Sequence, residues 1–329
     1  MTLRVFLTHN PEDLEAYYGR ALLELQALDV EVITNPLDRD LSTPELIDAA
    51  REASVIVAHR ATPGDPELFA ATPDLIAFLR TAVDISTVDV AAASAAGVVV
   101  GHADKSFVAS TAELALGLFL DAARNISASV VDYRAATEPP QRPGRQVRGM
   151  TAAIIGYGAI GAYLADLLAA AGLEVVVCDP HAVVDDRFRH VTFAEAIAGA
   201  EVVFPLVAST AATEGLIDAA AIAAMPADSI LVNVSRGEIV DEAAVAAALD
   251  RGHLRAFGCD VGSAPDQRPD PVLAARPDVV ATPHLGGLTP ENADAQARSS
   301  VEQVAAILRD EQPPRLANPE VWRGGVPMS

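Results

Sequence analysis

Ala152-Ala153-Ile154-Ile155-Gly156-Tyr157-Gly158-Ala159-Ile160-Gly161 decides the fold: an apolar run enters a tight glycine turn, and a helix follows at once. The glycines fit the spacing Gly-x-Gly-x-x-Gly. Each has its own physical reason. Gly156 suits a turn that a side chain would block, Gly158 lets backbone amides approach a pyrophosphate, and Gly161 lets helix and strand pack closely. A phosphate at that place meets the positive end of the helix. The helix shows in the stripe Ile160, Leu164, Leu167, Leu168 and Ala171, which stops at Gly172. A second strand, Leu173 to Cys178, then ends on Asp179.

Strand, glycine turn, amphipathic helix and a carboxylate closing the next strand together predict a dinucleotide site. Gly156, Gly158, Ala159, Ile160 and Gly161 are the expected phosphate contacts. Asp179, followed by Pro180, is placed to bind the adenosine ribose hydroxyls and to repel a 2′-phosphate. No arginine stands in Pro180-His181-Ala182-Val183-Val184-Asp185-Asp186 to welcome that phosphate. NAD is therefore expected rather than NADP.

The chain has 329 residues, enough for two domains with separate cores. Hydrophobic residues make up 51%, yet no apolar run reaches the length of a membrane span. The start, Leu3-Arg4-Val5-Phe6-Leu7, is strand-like and lacks the regions of a signal peptide. Cys178 and Cys259 are the only cysteines and lie far apart, so a reduced, cytoplasmic, disulfide-free protein is expected. The formal charge of −22 excludes partners that need clustered cations, nucleic acid and anionic membranes among them. An anionic substrate must therefore be drawn in by local positive charge. Lys105 is the only lysine.

Residues 1 to 101 alternate short apolar runs with helical stretches, the pattern of a parallel sheet covered by helices. Strands are expected at Leu3–Thr8, Val30–Thr34, Val55–His59, Leu75–Arg80 and Val98–Gly101, with helices near Glu12–Leu28, Pro44–Ala53 and Val88–Ala96. Glu113–Arg124 predicts a helix apolar nearly all round, as at a domain or subunit interface. Residues 137–149, with three prolines, two glycines and three arginines, form a linker. Strands are then expected at 152–156, 173–178, 202–207, 229–235, 254–260 and 279–282. Pro290–Arg309 forms a last helix that comes too late for the second sheet. The expected architecture is α/β with two doubly wound domains: a Rossmann domain at 102–287 inserted into a smaller flavodoxin-like domain made of 1–101 and 288–329.

Three polar stretches fall just past strand ends, where open α/β sheets place ligands. They are Asn233-Val-Ser-Arg-Gly-Glu-Ile-Val-Asp-Glu242, Gly258-Cys-Asp-Val-Gly-Ser-Ala-Pro-Asp-Gln267 and Ala281-Thr-Pro-His-Leu-Gly-Gly287. Oxidising a 2-hydroxy acid with NAD needs a cation for the carboxylate and carbonyl, a base of near-neutral pKa for the hydroxyl proton, and an acid to steady that base. Arg236, His284 and a carboxylate supply the set.

With the glycine turn and Asp179, the stretches Asn233-Val-Ser-Arg-Gly-x-x-Val-Asp-Glu242 and Thr282-Pro-His-x-Gly-Gly287 make the chain resemble the D-isomer-specific 2-hydroxyacid dehydrogenase family over nearly its whole length. The resemblance implies that Arg236 binds the substrate carboxylate and carbonyl and that His284 passes the proton. It also implies that Asp260 meets the nicotinamide amide, that Val207, Thr213, Val234, Ser235 and Gly286 line the cofactor, and that the enzyme is a homodimer joined at helix 113–124 and the linker.

Four departures accompany the match. The family writes Asp-Val-Phe-x-x-Glu-Pro, whose glutamate orients the histidine; counted from Asp260, that place holds Pro265. Asp266 is the expected substitute and Gln267 the other candidate, which would steady the charged imidazole less well. The family's glycine-rich substrate loop has become Arg80-Thr-Ala-Val-Asp-Ile-Ser-Thr87, with Ala82 and Asp84 at the glycine places; Ala82 and Val83 remain the expected carboxylate contacts. Asn-x-Pro-Gly has become His102-Ala-Asp-Lys105, and His-x-Pro has become Leu206-Val-Ala208. Lys105 either pairs with Asp84 or adds a second cation that selects a dianionic or phosphorylated substrate. The alternatives to a dehydrogenase are a non-catalytic NAD(H)-binding sensor and an isomerase or lyase that cycles hydride on tightly held NAD. No metal is expected.

Overall fold

The computed structural model describes residues 2–264 and 266–324. The chain forms two compact units, Met1–Ser106 with Pro290–Ser329, and Phe107–Thr289.

The first unit is built on five parallel strands: β1 (Leu3–Leu7), β2 (Val30–Thr34), β3 (Val55–Ala58), β4 (Ala77–Arg80) and β5 (Val99–Gly101). Their order is β2-β1-β3-β4-β5. Val55–Ala58 and Ala77–Arg80 are buried along their whole length, as expected for parallel strands covered on both faces. The helix Pro290–Leu308 belongs to this unit. Its Ala297, Val301, Val304 and Ile307 join the core formed by Leu3, Val5, Val55 and Leu79. Tyr18 and Ser300 share a buried hydrogen bond of 2.6 Å between their hydroxyls. Asn318 clamps the edge: its Oδ1 accepts from the Val100 amide at 2.7 Å, and its Nδ2 donates to the Val98 carbonyl at 3.0 Å. Both ends of the chain thus build one unit.

The expected helix at Glu12–Leu28 is broken into three pieces: a single turn at Pro11–Asp13, a π-helical turn at Leu14–Tyr18, and Gly19–Gln26. Gly19, a weak helix former, begins the last piece, and π turns concentrate where a helix adapts to its surroundings.

The second unit carries seven parallel strands: β6 (Thr151–Ile155), β7 (Glu174–Cys178), β8 (Arg189–His190), β9 (Val202–Pro205), β10 (Ser229–Asn233), β11 (Leu254–Cys259) and β12 (Val279–Ala281). The order is β12-β11-β10-β9-β6-β7-β8. The register aligns the strand ends. Ile155 lies beside both Cys178 and Pro205, which brings Gly156, Asp179 and Leu206 to one level. Asn233 lies beside Cys259 and Cys259 beside Ala281, so Val234, Asp260 and Thr282 also emerge together. Two-residue β8 carries no alternation and left no mark in the sequence. The helices Pro66–Ala71 and Ile126–Arg134 were likewise not anticipated.

The helix expected at 113–124 runs from Val108 to Arg124, and its apolar character has an intramolecular cause. Ala112, Ala115, Leu118, Phe119, Ala122 and Ala123 are buried in the second unit's core beside Leu164, Leu168 and Phe204. Its buried face is thus covered within the chain, and the expected subunit contact concerns its remaining positions. The next helix, Ile126–Arg134, exposes Ile126, Val130, Val131 and Tyr133. Among the described residues no single helix is long and apolar enough to cross a membrane.

Candidate active site

The glycine turn shows the roles read for Gly156 and Gly161 and leaves room for the one read for Gly158. Gly156 has φ +103°, a left-handed conformation costly for any other residue, and a Cβ there would lie 2.7 Å from the Leu206 carbonyl oxygen. At Gly158 a Cβ would meet nothing within 4 Å, so the space above it is open to a ligand. At Gly161 a Cβ would come within 2.2 Å of the Gly156 carbonyl oxygen, which is the close approach of helix to strand. Gly158 caps the helix Ala159–Ala170, whose first amides have no partner within the helix. We therefore expect Gly158→Val to keep its melting temperature while NADH affinity falls ~10–100-fold, in line with the ~1–3 kcal/mol that overpacking costs. Gly161→Ala should instead lower the melting temperature. Calorimetry and fluorescence titration check both, and NADH binding by Gly158→Val at wild-type affinity would remove the turn from the site.

Asp179 is held in place by backbone. Its Oδ2 accepts from the Tyr157 amide at 2.7 Å, and its Oδ1 from the amides of His181 and Ala182 at 2.8 and 2.9 Å. Partial burial opposes its ionisation, but these three amides outweigh burial and hold its pKa below the ordinary carboxylate value. It is a fixed anion at the end of β7, where a ribose diol can donate to it. Val207 packs against the turn, its Cγ1 2.9 Å from where a Gly156 Cβ would stand. Thr213 is tied into its own loop and donates to the Ala208 carbonyl at 2.6 Å. The residues present fit a dinucleotide.

The loop after β10 holds Arg236 by way of Asn233. The buried Asn233 side chain donates to the Arg236 carbonyl at 2.9 Å and accepts from the Ser235 amide at 3.0 Å. Ser235 Oγ donates to the Pro205 carbonyl at 2.8 Å, and Val234 is buried in the core. Arg236 itself is exposed. Its Nη1 donates to the neighbouring Ser235 carbonyl at 2.7 Å, and no carboxylate pairs with it among the described residues. The cation is positioned by its backbone and left open for an anion. Gly237 has no room for a side chain, since a Cβ would sit 2.0 Å from the Gly262 carbonyl carbon, and this locks the β10 and β11 loops together.

The loop after β12 is braced by Asp260. Asp260 is 1% exposed; its Oδ1 accepts from Thr282 Oγ1 at 2.6 Å and from the Leu285 amide at 2.7 Å. Its Oδ2 accepts from the Gly286 amide at 2.7 Å. The sequence, which by resemblance assigns Asp260 to the nicotinamide, carries no sign of this bracing role. Gly286, expected to line the cofactor, is buried against Asp260 and Thr111. His284 lies between Thr282 and Leu285 with φ +63°, a strained conformation for a side-chain-bearing residue. Its amide donates to the carbonyls of Asp260 at 2.9 Å and Thr282 at 3.0 Å, which hold it there.

The structure does not give His284 the carboxylate expected of Asp266. Asp266 is exposed and turns to Arg268, accepting from its amide at 3.2 Å and lying 3.6 Å from its Nε. Gln267 donates from Nε2 to Glu238 Oε1 at 2.6 Å, so it too is taken. Pro265, at the family's glutamate place, lies outside the described residues.

In the first unit, Arg80 is buried and shapes the loop that carries Ala82 and Val83. Burial pushes its pKa down to about 10. It donates to the carbonyls of His59 (3.0 Å), Thr62 and Asp84 (3.3 Å), and to Thr87 Oγ1. Of the two readings of Lys105, its pairing with Asp84 is not seen among the described residues. Asp84 Oδ1 accepts from the Ser86 amide at 2.8 Å, while Lys105 is exposed and its side chain makes no ion pair among the described residues. A lysine pairs with a distant loop only if that loop presents its carboxylate, and here the carboxylate caps its own turn.

Comparison with known proteins settles the family. The model of the D-isomer specific 2-hydroxyacid dehydrogenase NAD binding domain matches residues 116–286. The chain belongs to that family. It is 36% identical over 296 residues to a D-3-phosphoglycerate dehydrogenase of Mycobacterium bovis, covering 88% of this chain and 55% of that protein. The chain thus spans about half the length of the curated relatives of this kind that it matches. Over 306 residues it is 29% identical to a hydroxypyruvate reductase of Thermotoga maritima, covering 92% of this chain and 96% of that one. The crystal structure of the TT0316 protein of Thermus thermophilus superposes with a TM-score of 0.82 at 27% identity, over 96% of this chain and all of that one. The second unit is this family's NAD-binding domain, and NAD(H) is its cofactor.

Proposed function

We propose that the protein is an NAD-dependent oxidoreductase that interconverts a small 2-hydroxy acid and its 2-oxo acid. The observation that carries this reading is the pair of braced loops: Asn233 holds an unpaired Arg236, and Asp260 holds a strained His284, on strand ends in the same sheet as the dinucleotide turn. A binding protein has no need to hold either.

In the oxidative direction Arg236 grips the substrate carboxylate through its planar fork of donors and fixes C2. His284 accepts the hydroxyl proton and returns it in the reductive direction. Bound NAD(H) supplies the acceptor or donor of the C2 hydride. Asp179, Gly158 and the amides beginning helix Ala159–Ala170 hold its adenosine and pyrophosphate.

Two relatives frame the substrate test, one named for D-3-phosphoglycerate and one for hydroxypyruvate. Lys105, exposed and without an ion pair among the described residues, is the residue that would prefer a second negative charge. Lys105→Met is expected to lower kcat/KM ~10–100-fold for a phosphorylated or dicarboxylic substrate, the ~1.5–3 kcal/mol of a hydrogen bond to a charged group, and to leave a monocarboxylate unchanged. Steady-state rates with D-3-phosphoglycerate, hydroxypyruvate and dicarboxylic 2-oxo acids check this. Equal rates for wild type and variant on every substrate would sink the role of Lys105.

A second reading, a non-catalytic NAD(H) sensor, is favoured by one observation: Asp266 turns to Arg268. Tight NADH binding with no turnover on any of these substrates would support it. A homodimer belongs to the proposal, with the exposed apolar side chains of Ile126–Arg134 as its surface in place of helix 113–124. For the dehydrogenase reading the proposed substrate is small and anionic.

A further inference from the structure

The first unit's strand order, β2-β1-β3-β4-β5, reverses direction between β1 and β3, and ligands of open α/β sheets bind outside the carboxyl ends of strands at such a point. The residues gathered there have a metal-binding composition. His9 follows β1, His59 follows β3, Asp13 lies on the turn after β1, and Asp40 lies in the loop after β2. One donor atom from each of Asp13, Asp40 and His59 lies within 4.8 Å of the others. His59 Nδ1 is 3.8 Å from Asp13 Oδ2.

We propose that Asp13, Asp40 and His59 bind a divalent transition metal of the zinc type. Imidazole with carboxylates suits such an ion, and a bare carboxylate cluster suits Mg²⁺ or Ca²⁺ instead. Donors around one tetrahedral zinc stand ~3.3 Å apart, given bonds of ~2.0–2.1 Å, close to the 4.8 Å within which these three lie.

Each ligand is held from behind. Asn10 donates from Nδ2 to Asp13 Oδ2 at 2.8 Å and accepts from the Asp13 amide at 2.9 Å. Asn35 pins the Asp40 loop to β1, donating to the carbonyls of Thr8 at 3.2 Å and Arg39 at 2.9 Å. The His59 amide donates to Thr8 Oγ1 at 2.9 Å, and the Tyr17 ring stacks on the imidazole. Such outer contacts orient metal ligands.

His9 is the independent sign. It is 1% exposed, its ring centroid is 5.2 Å from that of His59, and its buried Nδ1 has no hydrogen-bond partner among the described residues, while Nε2 lies 3.3 Å from Thr81 Oγ1. A buried polar atom without a partner calls for an explanation.

The inference does not rest on the dehydrogenase reading, and its test does not use activity. The full chain, freed of metal by chelation and dialysis, is titrated with Co²⁺ as the probe. A saturable visible absorption band and a rise in melting temperature are expected. Asp40→Asn, at an exposed loop position, is expected to weaken binding by at least the ~10-fold typical of a lost outer contact. His59→Ala is expected to abolish the band. If His59→Ala does not fold, Asp40→Asn decides alone. No saturable band in the wild type, or Asp40→Asn titrating as the wild type does, overturns the site.

Discussion

His284→Asn should reduce kcat/KM for 2-oxo acid reduction by ~10²–10⁴-fold, the contribution of a positioned general acid–base, while NADH binds as tightly as before. Asparagine is the informative replacement. The residue stands at φ +63°, and asparagine tolerates that conformation, so the loop braced by Asp260 is kept and only the titrating ring is lost. Stopped-flow reduction with an NADH fluorescence titration separates the two effects. A variant within a few-fold of wild-type turnover would show that the proton is passed elsewhere.

Arg236→Gln should cost ~10²–10³-fold in kcat/KM, comparable to removing a donor that stabilises a developing oxyanion. Folding should be indifferent, because the guanidinium is exposed and its only described bond is to the adjacent Ser235 carbonyl. Arg236→Lys should recover only part of the loss, since a lysine keeps the charge without the planar fork. Full activity in Arg236→Lys would mean that charge alone is used, and unchanged activity in Arg236→Gln would remove this residue from the site. The comparison is made by steady-state kinetics at saturating NADH.

The dinucleotide turn was legible because backbone sterics write it directly into the sequence: Gly156 needs a positive φ, and Gly161 has no room for a Cβ. The strands were legible because parallel strands buried on both faces are continuous apolar runs, as in Val202-Val203-Phe204. Braces were harder to see. Asp260 reads as a ligand-facing carboxylate at a strand end, and only the fold shows that its two oxygens are taken by Thr282, Leu285 and Gly286. The partner of His284 was misread for a related reason, because the Asp266 side chain is short and its own turn offers the Arg268 amide. Helix Val108–Arg124 has the composition of an interface, yet the second unit's core covers its apolar face, and composition alone cannot tell one cover from the other. The cluster of Asp13, Asp40 and His59 left no motif, since three separate loops bring it together.

The most direct test of the central claim follows the hydride. The protein is incubated with NADH deuterated at C4 of the nicotinamide and with the best 2-oxo acid found in the substrate survey, and the product is analysed by NMR and mass spectrometry. The account predicts a 2-hydroxy acid carrying deuterium at C2, in amounts equal to the NAD⁺ formed. Tightly bound NADH with no labelled 2-hydroxy acid, for any 2-oxo acid offered, would contradict it.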